Sequence, residues 1–226
     1  MANVSQMLVA SVLIAFAIQL PTDTRRESGV TFPAQFDPQL GGTPHLLAGT
    51  ATRERTVFRV NVYAYGLYVE PEAARKELAA FAGQSPEALD RNPAFLRRLL
   101  DMRVPMTLRL VTTRTLPGDA LRNAFDEELT PRVARTDPST SSEAKVALSQ
   151  FRGFFNVDEM AEGSELLFSC TTAGALHTVV RAERRPVIQS IGLCRALFDV
   201  YLGERAVSAA GRRRLLAGLP AILKAR

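Results

Sequence analysis

The stretch Arg53–Glu70, RERTVFRVNVYAYGLYVE, decides how this chain is read. Phe58, Val60, Val62, Ala64 and Gly66 are apolar or small and alternate with Arg59, Asn61, Tyr63 and Tyr65. That period of two belongs to a strand with two unlike faces. The first set predicts a core-facing side. The second set, close to several arginines, predicts the wall of a pocket, where apolar surface needs a few aimed polar groups. Strand propensity offers a plainer account, because aromatic and β-branched residues favour strands whatever their role. Arg53 and Tyr63 are separated by about 33 Å along an extended strand, so they share a site only if the chain reverses between them.

Outward from this stretch, 226 residues suffice for one sizeable core, and a single domain is expected. Hydrophobic residues at 46% and charged residues at 23% exclude a disordered chain and a multi-span membrane protein. The formal net charge is +5, carried almost wholly by arginine. No dense basic run interleaves with aromatic residues, so no nucleic-acid partner is expected. The opening MANVSQMLVASVLIAFAIQL has no charge, an apolar run from Met7 to Ala17, and a small-x-small pattern at Ala15-Phe16-Ala17. Residues 1–20 are therefore read as a signal peptide, with an uncleaved anchor as the alternative and the only expected membrane contact. Export would make the chain secreted or periplasmic and would allow Cys170 and Cys194 to pair. Their apolar surroundings, a strand and a helix face, favour two buried free thiols instead.

Taken in order, Pro21–Ser28 reads as a linker, Gly29–Leu40 as an edge strand and turn, and His45–Thr52 as a strand. Pro71 opens a helix to Phe81, and Ser85–Asp101 forms another that Pro93 interrupts. Met106–Thr115 alternates as a strand; Ala120–Arg132 follows as a helix with Asp119 as N-cap and Leu121, Phe125 and Leu129 on one buried face. A helix is expected over Glu143–Phe155, a hairpin over Gly163–Cys170 and Ala175–Arg184, and an apolar helix over Gly192–Leu202. Ser208 caps a last helix that Pro220 breaks. About six strands and six helices without βαβ alternation predict an α+β fold with a largely antiparallel sheet.

Familiar chemical signatures are missing from the sequence: there is no GxSxG, HExxH, CxxC, Walker or GxGxxG motif. His45 has no ligand-spaced neighbour and reads as a surface or strand residue; neither it nor His177 suggests a metal site. Asp126, Glu127 and Glu128 are successive on a helix and read as a solvated face. No cofactor is expected. What remains is a pocket acting through shape, tyrosine hydroxyls and arginine.

Three segments together resemble the chalcone isomerase superfamily: LLAGTATRERTVFRVNVYAYGLYVE over residues 46–70, RLVTTRTLPGDALRNAFDEEL over 109–129, and LCRALFDVYLGERAVS over 193–208. The resemblance begins near Gly29 and implies a chalcone isomerase-like domain over residues 29–226. Its fold would be an open-faced sandwich, a large antiparallel sheet packed against a layer of helices. The superfamily contains plant enzymes that close chalcones to flavanones and non-catalytic relatives, among them fatty-acid-binding proteins and bacterial proteins with leader peptides.

Carried over one at a time, the enzymes' arginine matches Arg53, with Arg55 and Arg59 as neighbours that could take its role. Their first threonine falls on Tyr63, the residue type of the fatty-acid-binding branch. Their tyrosine falls on Leu121, their asparagine on Glu128 and their second threonine on Val200. The resemblance thus implies loss of the water-positioning hydroxyls and no chalcone cyclisation. It leaves a carboxylate clamp from Arg53 and Tyr63, with Leu121, Phe125 and Val200 lining a tunnel for an acyl chain. The expectation is a monomeric, non-catalytic binder of a fatty acid or similar amphiphilic carboxylate. An intramolecular lyase acting on a phenolic or enone substrate is the alternative, and a ligand-free interaction module a third possibility.

Overall fold

A computed structural model describes residues 24–40, 42–55, 60–135 and 138–225. The expected leader therefore lies outside the described residues. The strands are β1 (Thr24–Glu27), β2 (Val30–Pro33), β3 (Gln35–Phe36), β4 (His45–Arg55), β5 (Val60–Val69), β6 (Met106–Thr112), β7 (Leu116–Pro117), β8 (Glu159–Met160), β9 (Glu165–Cys170), β10 (Ala175–Val180), β11 (Glu183–Arg184) and β12 (Ile188–Gln189). The helices are α1 (Pro71–Glu77), α2 (Pro86–Asp90), α3 (Pro93–Leu100), α4 (Gly118–Ala134), α5 (Pro138–Gly153), α6 (Ile191–Leu202), α7 (Ala209–Leu215) and α8 (Leu219–Lys224).

One antiparallel sheet runs in the order β11-β10-β9-β6-β5-β4-β3, with β12 also paired to β10. Neighbours in sequence are neighbours in space except at β6 and β9, between which α4 and α5 depart and return. The short β7–β8 pair closes the ends of that excursion. Helices cover one face and bury the main core, so the α+β open-faced sandwich expected from the sequence is the architecture observed.

Several local expectations are corrected. Thr24–Glu27, read as linker, is a strand paired with β2. Pro117 precedes α4, which begins at Gly118, two residues before the expected start; Asp119 lies inside the first turn and is not the cap. Pro93 does split the 85–101 helix, with Asn92 capping the second piece through Oδ1. The two faces of β5 depart in part from the roles the alternation suggested: the tyrosine face, read as a pocket wall, also carries the main core, and the face read as core is a secondary one. Tyr65, Leu67 and Val69 point into the main core under the helices. Ala64 and Tyr68 form a separate small cluster with Phe32 on the opposite face, which the β1–β2 hairpin covers. Gly66 is required there, since a Cβ would lie 2.7 Å from the Phe32 ring. Both faces are buried, and period-two alternation alone cannot tell a main core from a secondary one.

Cys170 and Cys194 are joined as a disulfide with Cα atoms 6.1 Å apart, correcting the expectation of free thiols. Cys170 ends β9 and Cys194 lies in the second turn of α6; packing that helix on the sheet brings their side chains together in the core.

His45 is in a strand, as one reading allowed, but is only 3% exposed. Its Nδ1 is 3.1 Å from the Thr107 hydroxyl, which in turn donates to Ser169 at 2.8 Å. Burial lowers its pKa to about 4, against the opposing pull of Glu70 and Asp37. A base held neutral in the fold takes up its proton more readily when unfolded, so its contribution to stability is complete above its ordinary pKa and is lost as pH falls through about 4. We predict that thermal unfolding between pH 7 and pH 4 shows this loss and that His45→Gln flattens it. An unchanged pH profile in the variant would assign the acid sensitivity elsewhere.

Candidate functional site: a cleft between sheet and helices

The β4–β5 hairpin builds one wall. Its register places Arg53 directly opposite Tyr63, so the chain does reverse between them. The next pairing, Glu54 with Asn61, skips Val62. This bulge re-aims the strand so that two successive residues, Val62 and Tyr63, both line the cleft, which regular pleating would forbid. The Arg53 side chain reaches the cleft; those of Arg55 and Arg59 lie outside the described residues.

α4 builds the opposite wall. Ala120, Leu121, Ala124, Phe125, Glu127 and Glu128 recur at three- and four-residue spacing and face the cleft together. Gly118 lets the helix start hard against the chain after α5, because a Cβ there would meet the Val157 carbonyl oxygen at 1.7 Å. α6 contributes Val200 and Tyr201, and the segment after it contributes Val207. All six residues singled out from the sequence, Arg53, Tyr63, Leu121, Phe125, Glu128 and Val200, therefore border one cavity.

The cavity measures about 100 Å³, and all the empty space of the cleft, open solvent at its mouth included, about 710 Å³. Leu121, Phe125 and Val200 are buried within it, while the side chains of Arg53 and Glu128, 27% and 32% exposed, stand at the rim. Phe125 also packs against Phe151, Phe155 and Phe168, with ring centroids 4.9–5.7 Å apart, which fixes the apolar end.

At the polar end, one Nη1 hydrogen of Arg53 goes to the Val207 carbonyl, and its Nη2 lies 3.8 Å from Glu128 Oε1. Glu128 is held far more tightly by Arg132, whose Nη1 donates to Oε2 at 2.7 Å. Arg132 also donates to Asp199 from Nε at 2.9 Å. Glu128 is thus part of an ion-paired chain and not of a solvated acidic face. Asp126, likewise, pairs with Arg152.

The Tyr63 and Tyr201 hydroxyls are 3.1 Å apart. Two hydroxyls share one hydrogen bond, so one O–H remains to donate to a third group. Burial raises the Tyr63 pKa, opposed by the Tyr201 bond and by Arg53; burial also raises Tyr201 well above its ordinary value, with the neighbouring Tyr63 adding to it. Both therefore stay protonated donors at neutral pH. Tyr201, 2% exposed, was missed in the sequence because α6 is apolar almost throughout and its periodicity does not mark a cleft-facing side. Val207 was missed because it acts through a backbone carbonyl, which leaves no side-chain signature. Among the described residues, no group of three or more His, Cys, Asp or Glu side chains is placed to hold a metal ion.

Fold and site define an open-faced α+β sandwich with a cleft between sheet and helices, charged at its rim and apolar within. Residues 43–216 match the family model described as chalcone isomerase like, and the chain belongs to that family. It is 28% identical over 188 residues to fatty-acid-binding protein 2 of Arabidopsis thaliana, a match covering 80% of this chain but only 46% of that protein. It is also 28% identical over 208 residues to chalcone–flavanone isomerase of Oryza sativa subsp. japonica, covering 87% of this chain and 89% of that one. The crystal structure of a fatty-acid-binding protein of Arabidopsis thaliana superposes with a TM-score of 0.75 at 22% identity, over 89% of this chain and 99% of that one.

Proposed function

We propose that the cleft binds a fatty acid or a similar amphiphilic carboxylate without transforming it. The observation that carries this reading is the meeting of Arg53 with the Tyr63–Tyr201 hydroxyl pair at the mouth of a narrow apolar slot. A ligand carboxylate at the rim would take the free N–H groups of Arg53 and the spare phenolic O–H, both strong partners for an anion in a poorly hydrated site. Its chain would run along Leu121 and Phe125, each buried CH2 contributing about 0.8 kcal/mol. Glu128 does not block this arrangement, because its main partner is Arg132. At about 100 Å³ the cavity is smaller than the roughly 300–1,000 Å³ of typical small-molecule pockets, so part of any acyl chain would lie in the open cleft. The disulfide supports reading the Met7–Ala17 run as a leader to an oxidising compartment. Organic extraction of the natively purified protein followed by mass spectrometry tests the proposal: a stoichiometric fatty acid is expected, and an empty protein that also fails to take up added fatty acid would reject it.

Family membership keeps an isomerase reading in view, with Arg53 as electrophile and Tyr63 as acid/base. The two readings part at Tyr63→Phe. For a binder, removal of one neutral hydroxyl should weaken fatty-acid affinity about threefold to tenfold, because Tyr201 remains. For an isomerase, the variant should retain substrate binding and lose turnover of an enone or phenolic substrate; any Tyr63-dependent turnover would decide for the enzyme.

A further inference from the structure

A second groove lies away from the cleft, where α3, the end of α4 and α6 meet. Arg97 and Asp101 come from α3 and the residue after it, Arg132 and Arg135 from the end of α4, and Arg195 and Asp199 from α6, around a space of about 360 Å³. Four arginines thus face two aspartates, and the groove is net cationic.

The arginines are not equivalent. Arg132 is fully committed: Nε to Asp199, Nη1 to Glu128 and Nη2 to the Arg205 carbonyl. It neutralises Asp199 and offers little to a ligand. Arg97, in the last turn of α3, and Arg135, just past the end of α4 and 3.7 Å from Asp199 through Nη2, have an ordinary reason for their places, since cations favour helix C-termini and Asp199 is shared with Arg132. Arg195 has no such reason. It stands in the second turn of the twelve-residue α6, toward the end where the helix dipole disfavours a cation. Its Nε is buried and has no hydrogen-bond partner among the described residues. The Nε is closed off from the groove, but the side chain as a whole is only partly buried and lines the groove, so its outer N–H groups are the ones open to an acceptor there.

We propose that this groove binds a phosphate-class anion, with Arg195 as its anchor and Arg97 and Arg135 as flanking donors. A lone carboxylate would be satisfied by one guanidinium fork, whereas arginines converging from three helices match an anion whose oxygens point in several directions. The same chemistry is carried by a soluble phosphate ester and by the headgroup of an anionic lipid.

Isothermal titration of the chain with inorganic phosphate at low ionic strength tests the proposal. Saturable binding is expected, weakened about tenfold or more by Arg195→Gln and unchanged by Arg122→Gln, which lies outside the groove. Arg97→Gln, on an exposed side chain, should weaken it less and keeps the test decisive if Arg195→Gln does not fold. Co-sedimentation with phosphatidylcholine vesicles containing phosphatidic acid then separates the sources. Arg195-dependent pelleting points to a lipid headgroup, and phosphate binding without pelleting to a soluble ester. No saturable phosphate binding, or equal binding by the Arg195 and Arg97 variants and the unaltered chain, would overturn the proposal.

Discussion

Arg53→Ala is expected to lower fatty-acid affinity about 10- to 100-fold and to strip any co-purifying ligand, while the protein remains folded. The size follows from a hydrogen bond to a charged group, worth about 1.5–3 kcal/mol when its partner is buried. The fold should survive because Arg53 is partly exposed and makes one backbone contact, to Val207, in addition to its loose pairing with Glu128. Arg53→Lys would keep the charge and lose the planar fork, and should fall between the two. Displacement of a fluorescent fatty acid, with circular dichroism as the control for folding, reads both effects. Undiminished affinity in a folded Arg53→Ala protein would remove the carboxylate clamp and return attention to the apolar walls alone.

The largest effect on stability is expected from Phe168→Ala. Phe168 is fully buried on β9, and its ring meets those of Phe125, Phe151 and Phe155 at 5.7, 5.6 and 6.4 Å. Removing it leaves a cavity among three rings that are themselves held by the sheet and two helices, so relaxation can recover little. A loss of about 3–5 kcal/mol is expected. Urea unfolding with the disulfide intact measures it, and a loss below about 1 kcal/mol would show that this aromatic cluster does not fix the apolar end of the cleft. Because Phe125 lines the cleft and packs on Phe168, the same variant should also loosen the apolar end and weaken binding of long acyl chains.

The fold class was legible in the sequence because it rests on local rules. Alternation over residues 60–69, Pro71 at the start of α1, Pro93 where the 85–101 helix divides, and the Ser208 cap depend on neighbours a few positions away. Leu121 and Phe125 were similarly within reach as one buried helix face, whereas Glu128, read from the pattern as solvated, entered the site only through the resemblance. The family resemblance brought Arg53, Tyr63 and Val200 to the same site, although no periodicity connects them.

What the sequence by itself determined, then, was the kind of elements, their order and the chemical character of the cleft. Tertiary structure decided how those elements face one another. Only the hairpin register set Arg53 beside Tyr63, and only the bulge turned Val62 to the same side. Only helix packing on the sheet paired Cys170 with Cys194, joined the Tyr63 and Tyr201 hydroxyls, and made the tyrosine side of β5 the main core face. The physical reason is the same in each case. A residue's conformation is governed largely by its chain neighbours, whereas its partners across a sheet or beneath a helix are chosen by the joint packing of segments more than a hundred positions apart, as with Tyr63 and Tyr201.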